Sequence, residues 1–385
     1  MDGRRARPQL PLLRACAPAP DPAAARIELG RGRLMRACRN GNLVAARRHA
    51  DQFGLGAADI KREHGLPFFY ACANGHLDVA QWLTASFGIT PEDARFDENC
   101  ALRRACQNGY LDVVVWLTKT FGLTAEDARA GYYNALHLAC TGGHEHVARW
   151  LVARFGLTRD DAGVGHRSSA LWEACRGGHL ELVRWLVNRF GYNADDIRTD
   201  GALGAACWKG HLVLAKWLVA RFELTANDAR SGVGGGSALS AACADGHQAI
   251  AEWLTDRFGL TAADARAKNN YALRKACEGG HLEVVRWLAD TFGLGAADTR
   301  CPVYEDSALV LACTNHRPNV VRWLVATFGF TADDVAEVRR KMGKRDYNAV
   351  AGIFAELGIV LPDDGSDDGD DSSVDSDDSD SYTVA

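Results

Sequence analysis

The sequence predicts an all-α solenoid of about nine stacked helix–turn–helix repeats, and three observations predict it. One register of residues recurs along most of the 385-residue chain, marked by Cys38, Cys72, Cys106, Cys140, Cys175, Cys207, Cys243, Cys277 and Cys313. Other residue types keep fixed offsets from that mark: tryptophan follows ten positions later from Trp82 to Trp323, with Arg48 in the first copy, phenylalanine after fifteen (Phe53 to Phe328) and aspartate after twenty-one (Asp59 to Asp334). Within a copy the spacing is helical. In "HLEVVRWLADTF", Glu283, Arg286 and Asp290 form one polar stripe, and Leu282, Val284, Val285, Trp287, Leu288 and Phe292 cover the remaining surface, which alternation could not do.

Catalysis needs each reactive group once, so a feature copied along the chain is scaffold and function is to be sought in the differences between copies. Each copy buries its apolar face only against its neighbours, so one elongated body is expected.

Taken in order, residues 1–32 form a basic arm, rich in arginine, interrupted by prolines and expected to be disordered. Its apolar run is broken by Arg14, which argues against a secretory signal. Residues 33–335 hold the repeats. A short helix such as "YALRKAC" ends in a small pair, Ala276 and Cys277. Glycine three positions on, from Gly41 to Gly280, supplies a left-handed turn. A longer second helix follows, then "GLTAEDAR"-like segments in which Thr90, Thr124 and Thr225 precede an aspartate by three residues, the mark of a capped short helical turn, with Pro91 at a favoured first position. Connecting loops vary in length.

Residues 336–361 are expected to cap the array with a helix that places Ala349, Val350, Ile353, Phe354 and Leu357 on one face. The preceding "RRKMGKR" fits the solvated side of such a closing helix better than an import signal. Residues 362–385 form an acidic tail, expected to be disordered: ten aspartates occur from 363 to 385 with no lysine or arginine.

The stretch "NALHLACTGGHEHVARWL" from Asn134 to Leu151 resembles the ankyrin repeat, with His137 at the first-helix histidine and His144 after the turn glycine, a place also filled by His76, His179, His211, His247 and His281. Alanine usually replaces the family's proline, cysteine its second small residue and tryptophan a leucine. The capped turn occupies the start of its β-hairpin finger. This variant style looks like the ankyrin arrays of large DNA viruses of protists, which implies a host cytoplasm or nucleus as its setting. The resemblance implies non-catalytic protein recognition on a concave surface made by first-helix residues flanking the small pair.

Competing chemistries are weaker. Equivalent cysteines on packed helices lie too far apart for disulfides, and two candidate ligands per repeat do not make a zinc site. The register cysteines are expected to be buried, reduced and inert, with Cys16, Cys100 and Cys301 outside the register. The loop "SGVGGGSALS" lacks the lysine and leading strand of a phosphate cradle, and no nucleophile, base and acid recur together, so neither an enzyme nor a cofactor is expected. No apolar run is long enough for a membrane span. A soluble, intracellular monomer follows as the expectation.

The tryptophans in register are expected to be core. Trp172 and Trp208 break register, standing where other copies carry arginine, serine, glutamate or threonine. Aromatic and arginine side chains dominate binding hot spots, which singles out Tyr70, Arg104, Trp172, Arg176, Trp208 and Lys209 as the partner-binding patch. The partner is expected to be a protein, one of a host if the chain is viral. Delivery to a ubiquitin ligase, or nucleic-acid association through the basic arm, are alternatives.

Overall fold

The computed structural model describes residues 22–359, apart from 132–133, 164–168, 233–235, 301–305 and 343. Every regular element among them is a helix, and the order repeats as the register requires. The second helices are 11 residues long, from Leu43–Phe53 through Leu180–Phe190 to Pro318–Phe328. They stop after the phenylalanine because the next residue turns left-handed, glycine in each case except Glu223 (φ 52). Several first helices span seven residues, including Ala135–Thr141, Ala170–Arg176, Ala202–Trp208 and Ala238–Ala244. Asn134, Ser169, Ser237 and Ser307 start four of them by accepting the N–H three residues on. Elsewhere the short capped turn fuses with the first helix, as in Ala57–Ala73 and Ala262–Gly279. In the latter, and in Phe96–Gln107, three consecutive residues are left-handed: Lys268 to Asn270 and Asp97 to Asn99.

The core runs unbroken along the stack. The Ala–Cys pairs from Ala71 and Cys72 to Ala312 and Cys313 are sealed, and so is the leucine eleven residues after each cysteine, from Leu83 to Leu324. Burying one such leucine is worth roughly 1.5–3 kcal/mol, and the set recurs in every internal repeat. Burial pushes the Cys38 and Cys313 thiols up to about 12, and the half-buried Cys100 thiol to about 11. Cys16 and Cys301 lie outside the described residues.

The register tryptophans are half-buried, where the sequence reading makes them core. Each ring meets the phenylalanine five residues later at a steep angle, as in Trp150 with Phe155 (5.9 Å, 89°). The rings are not sealed because the fully buried position belongs to the adjacent leucine. An arginine of the preceding repeat covers two of these faces, Arg149 over Trp185 and Arg184 over Trp217.

Two ladders join neighbouring repeats. In the first, each capping aspartate accepts the main-chain N–H at its own cap and also receives a cation from the repeat before. Lys61–Asp93, Arg95–Asp127 and Arg129–Asp161 lie at 2.6–2.9 Å, as do Arg198–Asp228, Arg230–Asp264, Arg266–Asp298 and Arg300–Asp334. Repeat four carries Gly163 where the arginine is due, and Arg159 pairs with Asp196 instead. Hydrogen bonds from Arg129, Arg230 and Arg266 hold the carboxyls of Asp161, Asp264 and Asp298 below their ordinary value, and Arg300 takes Asp334 to about 2.

The second ladder is the histidine after the turn glycine. Its Nε2 donates to the carbonyl one residue past the preceding repeat's cysteine, at 3.0–3.3 Å: His76 to Arg39, His179 to Thr141, His211 to Arg176 and His281 to Ala244. The ring lies flat on the preceding turn glycine. A Cβ at Gly178 would sit 2.3 Å from His211 Nδ1, and φ is +76° there, so glycine is required twice over. Tyr110 replaces histidine once, and Asn108 then donates to Ala73 in its stead; Arg317 does the same for Glu278.

At the ends the structure differs from the sequence reading. Pro22–Arg39 is one helix, so residues 22–32 belong to the first repeat and not to an arm. Pro22 sits at the helix start, where proline is tolerated. Gly30 lies hard against Phe53, while buried Arg31 donates to the Asp59 carbonyl at 3.0 Å and pairs with Glu28. The C-terminal helices Ala332–Met342 and Lys344–Glu356 close the last repeat with Val350, Ile353 and Phe354 buried. Leu357 is 38% exposed, one turn beyond the surface its helix covers. The acidic tail from 362 lies outside the described residues.

Candidate protein-recognition surface

First helices place their variable side chains in register along the stack, and four of the six residues singled out from the sequence converge. Trp172, in Ala170–Arg176, and Trp208, closing Ala202–Trp208, have ring centroids 6.4 Å apart at 45°. Arg176 lies 5.6 Å over the Trp172 ring and donates at 2.8 Å to Glu173, whose buried carboxylate also accepts from Thr141 of the repeat before. Lys209 Nζ stands 4.3 Å over Trp208 and 2.8 Å from Asp245 Oδ2. The Trp208 indole N–H donates to Asp245 Oδ1 at 2.9 Å. Both tryptophans are half-buried with one face committed to a cation, so their positions are fixed before anything binds.

Beside this pair opens a groove of about 670 Å³. Gly204, Ala205 and Ala241 line it together with the aromatic side chains of Trp172, Trp208 and Tyr271. Six of its charged groups pair, Asp245 with Lys209, Lys275 with Glu278 at 2.7 Å, and Arg198 with Asp228 at 2.6 Å, and Arg317 donates to the Glu278 carbonyl at 3.0 Å.

Tyr70 and Arg104 do not join this cluster. Tyr70 packs on Phe69 (5.3 Å) under Arg39 (5.7 Å), bordering a separate depression with Arg36. Arg104 is exposed and donates to Gln107 at 2.7 Å. The first-helix surface thus carries a basic stretch in early repeats and an aromatic groove in later ones.

Asp245 and Tyr271 escaped the sequence reading, although the rule that found Trp172 applies to both. Asp245 is the one acid two residues past a register cysteine, and Tyr271 the one aromatic six residues before.

A family model of ankyrin repeats, in three copies, matches residues 102–200, 136–228, 171–267 and 239–334, more than half of the chain together. The chain belongs to the ankyrin repeat family. Ankyrin repeats generally mediate protein–protein interaction and are typically non-catalytic. Among solved structures, the human ASB11 ankyrin repeat domain aligns with 59% of this ankyrin chain and 98% of its own, at 20% identity and a TM-score of 0.40. No curated protein matches. Neither comparison supports the likeness to viral arrays. No helix among the described residues is long and apolar enough to cross a membrane.

Proposed function

We propose that this ankyrin array holds a partner protein on its concave first-helix surface and performs no chemistry on it. The observation that carries the reading is the Trp172–Trp208 pair, out of register, half-exposed and pinned by Arg176, Lys209 and Asp245. Rigid aromatic and arginine anchors at the centre of a concave surface are what binding hot spots are made of. Tyr70 and Arg104 extend the surface as a second, more basic patch. The chain acts as a soluble intracellular monomer in this reading, a setting that suits its unpaired buried thiols. Delivery of a captured protein to a ubiquitin ligase is the finer form of the same proposal.

Replacing Trp172 and Trp208 together with alanine tests it. Capture of proteins from a cell lysate falls by about tenfold or more, with helix content unchanged and a modest drop in melting temperature, since both rings are half-buried. Undiminished capture by a folded double variant sinks the reading. Nucleic-acid association through the basic N-terminal end is the second reading, resting on exposed Arg36 and Arg39, which make no ion pair among the described residues. A salt titration against generic duplex DNA decides it, because phosphate contacts make affinity fall steeply with salt. Absence of binding, or a flat salt dependence, removes it.

A further inference from the structure

Gly204 occupies the interior of a helix, where glycine is unfavourable relative to alanine. Most glycines in the described residues have a structural reason, a positive φ or a neighbour where a side chain would go; Gly32, Gly204, Gly295 and Gly352 do not, and of these four Gly204 lines the groove. Gly204 has neither. Its φ is not positive, and a Cβ built there meets nothing within 4 Å. Its place in the first-helix column is filled by Trp172 in the preceding repeat, by Arg103 and by Arg274. The missing side chain leaves open space at Gly204, which lines the same groove as Trp172, Trp208 and Tyr271.

We propose that the hole over Gly204 is an anchor pocket for a large apolar side chain of a partner polypeptide. This rests on the concave-surface reading and names the chemistry of its ligand. Charge selects the occupant. Asp245, Glu278 and Asp228 are each matched by Lys209, Lys275 and Arg198, so the groove offers no free carboxylate to a cationic group, and the remaining lining cation, Arg317, is engaged by the Glu278 carbonyl at 3.0 Å. A lining of Trp172, Trp208 and Tyr271 with the small residues Gly204, Ala205 and Ala241 complements a leucine, methionine or aromatic residue. The chain's own aspartate-rich tail is a poor occupant, because from 363 to 380 it offers Val374 as its single apolar side chain.

The experiment selects displayed random peptides on the full-length chain, then measures each against wild type, Gly204→Ala, Gly204→Leu and Tyr70→Ala/Arg104→Glu. Expected are peptides sharing one large apolar residue, whose binding weakens by at least about tenfold on replacing that residue with alanine. Gly204→Leu weakens them by as much, although its melting temperature is not lower than wild type; Gly204→Ala changes little. Peptides indifferent to Gly204→Leu but lost with Tyr70→Ala/Arg104→Glu overturn the pocket and leave concave recognition standing. Peptides indifferent to both sets, peptides that share only charge, or failure to enrich any peptide overturn the pocket as well.

Discussion

The turn seam and the aromatic groove are built by the same repeats, and a glycine in each shows how differently they are constrained. Gly178 is pressed by the His211 ring of the next repeat and held at positive φ, so its identity is fixed by its neighbour. Gly204 touches nothing and has ordinary helical geometry, so nothing in the fold fixes it. Along the seam, departures are compensated: where Tyr110 replaces histidine, Asn108 restores the hydrogen bond, and where Gly163 replaces arginine, Arg159 restores the ion pair. Along the first helices departures accumulate into a basic stretch and an aromatic groove. Repetition in this chain stabilises junctions, and variation makes a surface.

The comparison breaks most sharply if the two glycines behave alike. Gly178→Ala should cost about 2–5 kcal/mol, from the left-handed backbone and the overlap with His211 together. Gly204→Ala should be neutral or stabilising by up to about 1 kcal/mol. Urea unfolding of the two variants checks both, and equal losses would mean that the groove glycine is structural after all.

Much of the seam was legible because its signals are local or repeat in register. The small pair, the turn glycine and the threonine–aspartate cap each act within a few residues, and the structure places them as the spacing implies. The ion-pair ladder was not legible: Arg230 and Asp264 belong to different repeats, and each looks like an ordinary solvated charge in its own segment. The tryptophans were misjudged because composition marks them as core, whereas the eleven-residue helix gives the sealed position to Leu151 and leaves Trp150 at its edge. The helix from Pro22 was hidden by its arginines, since the signal for burial there is Gly30 against Phe53, a contact between helices. Of the site, the odd residues Trp172 and Trp208 were visible in register, but the hole at Gly204 exists only once neighbouring helices surround it.

Acid titration sharpens the contrast from the other side. His137 occupies the first-helix column, yet it is only 7% exposed, and burial lowers its pKa to about 4. Burial also lowers His144, His179 and His247 in the seam. Their folded pKa values lie below the unfolded one near 6.5, so the unfolded chain binds more protons below that pH, and stability present at neutral pH is lost on acidification. His137 alone should remove roughly 2 kcal/mol between pH 6.5 and 5. Urea midpoints measured across that range should fall, and His137→Gln should flatten the slope. A slope unchanged by His137→Gln would show that this column position is open to water like its neighbours.

The smallest effect concerns the last turn of the seam, where His316 stands in place of glycine with φ +54°. Internal turns need glycine for two reasons, backbone conformation and the ring of the following repeat. At repeat nine the second reason disappears, because no further histidine packs onto the turn, and His316 is exposed. Only the conformational cost remains, about 1–2 kcal/mol for an L-residue in the left-handed region. His316→Gly should therefore stabilise the protein by about 1 kcal/mol, seen as a higher urea midpoint with unchanged groove binding. At Gly280 the reverse change, Gly280→His, meets both φ +83° and the Arg317 side chain, 2.6 Å from a built Cβ, and should destabilise. If the two exchanges proved equal and opposite, backbone geometry alone would set the seam, and the packing of each repeat on the turn before it would contribute nothing.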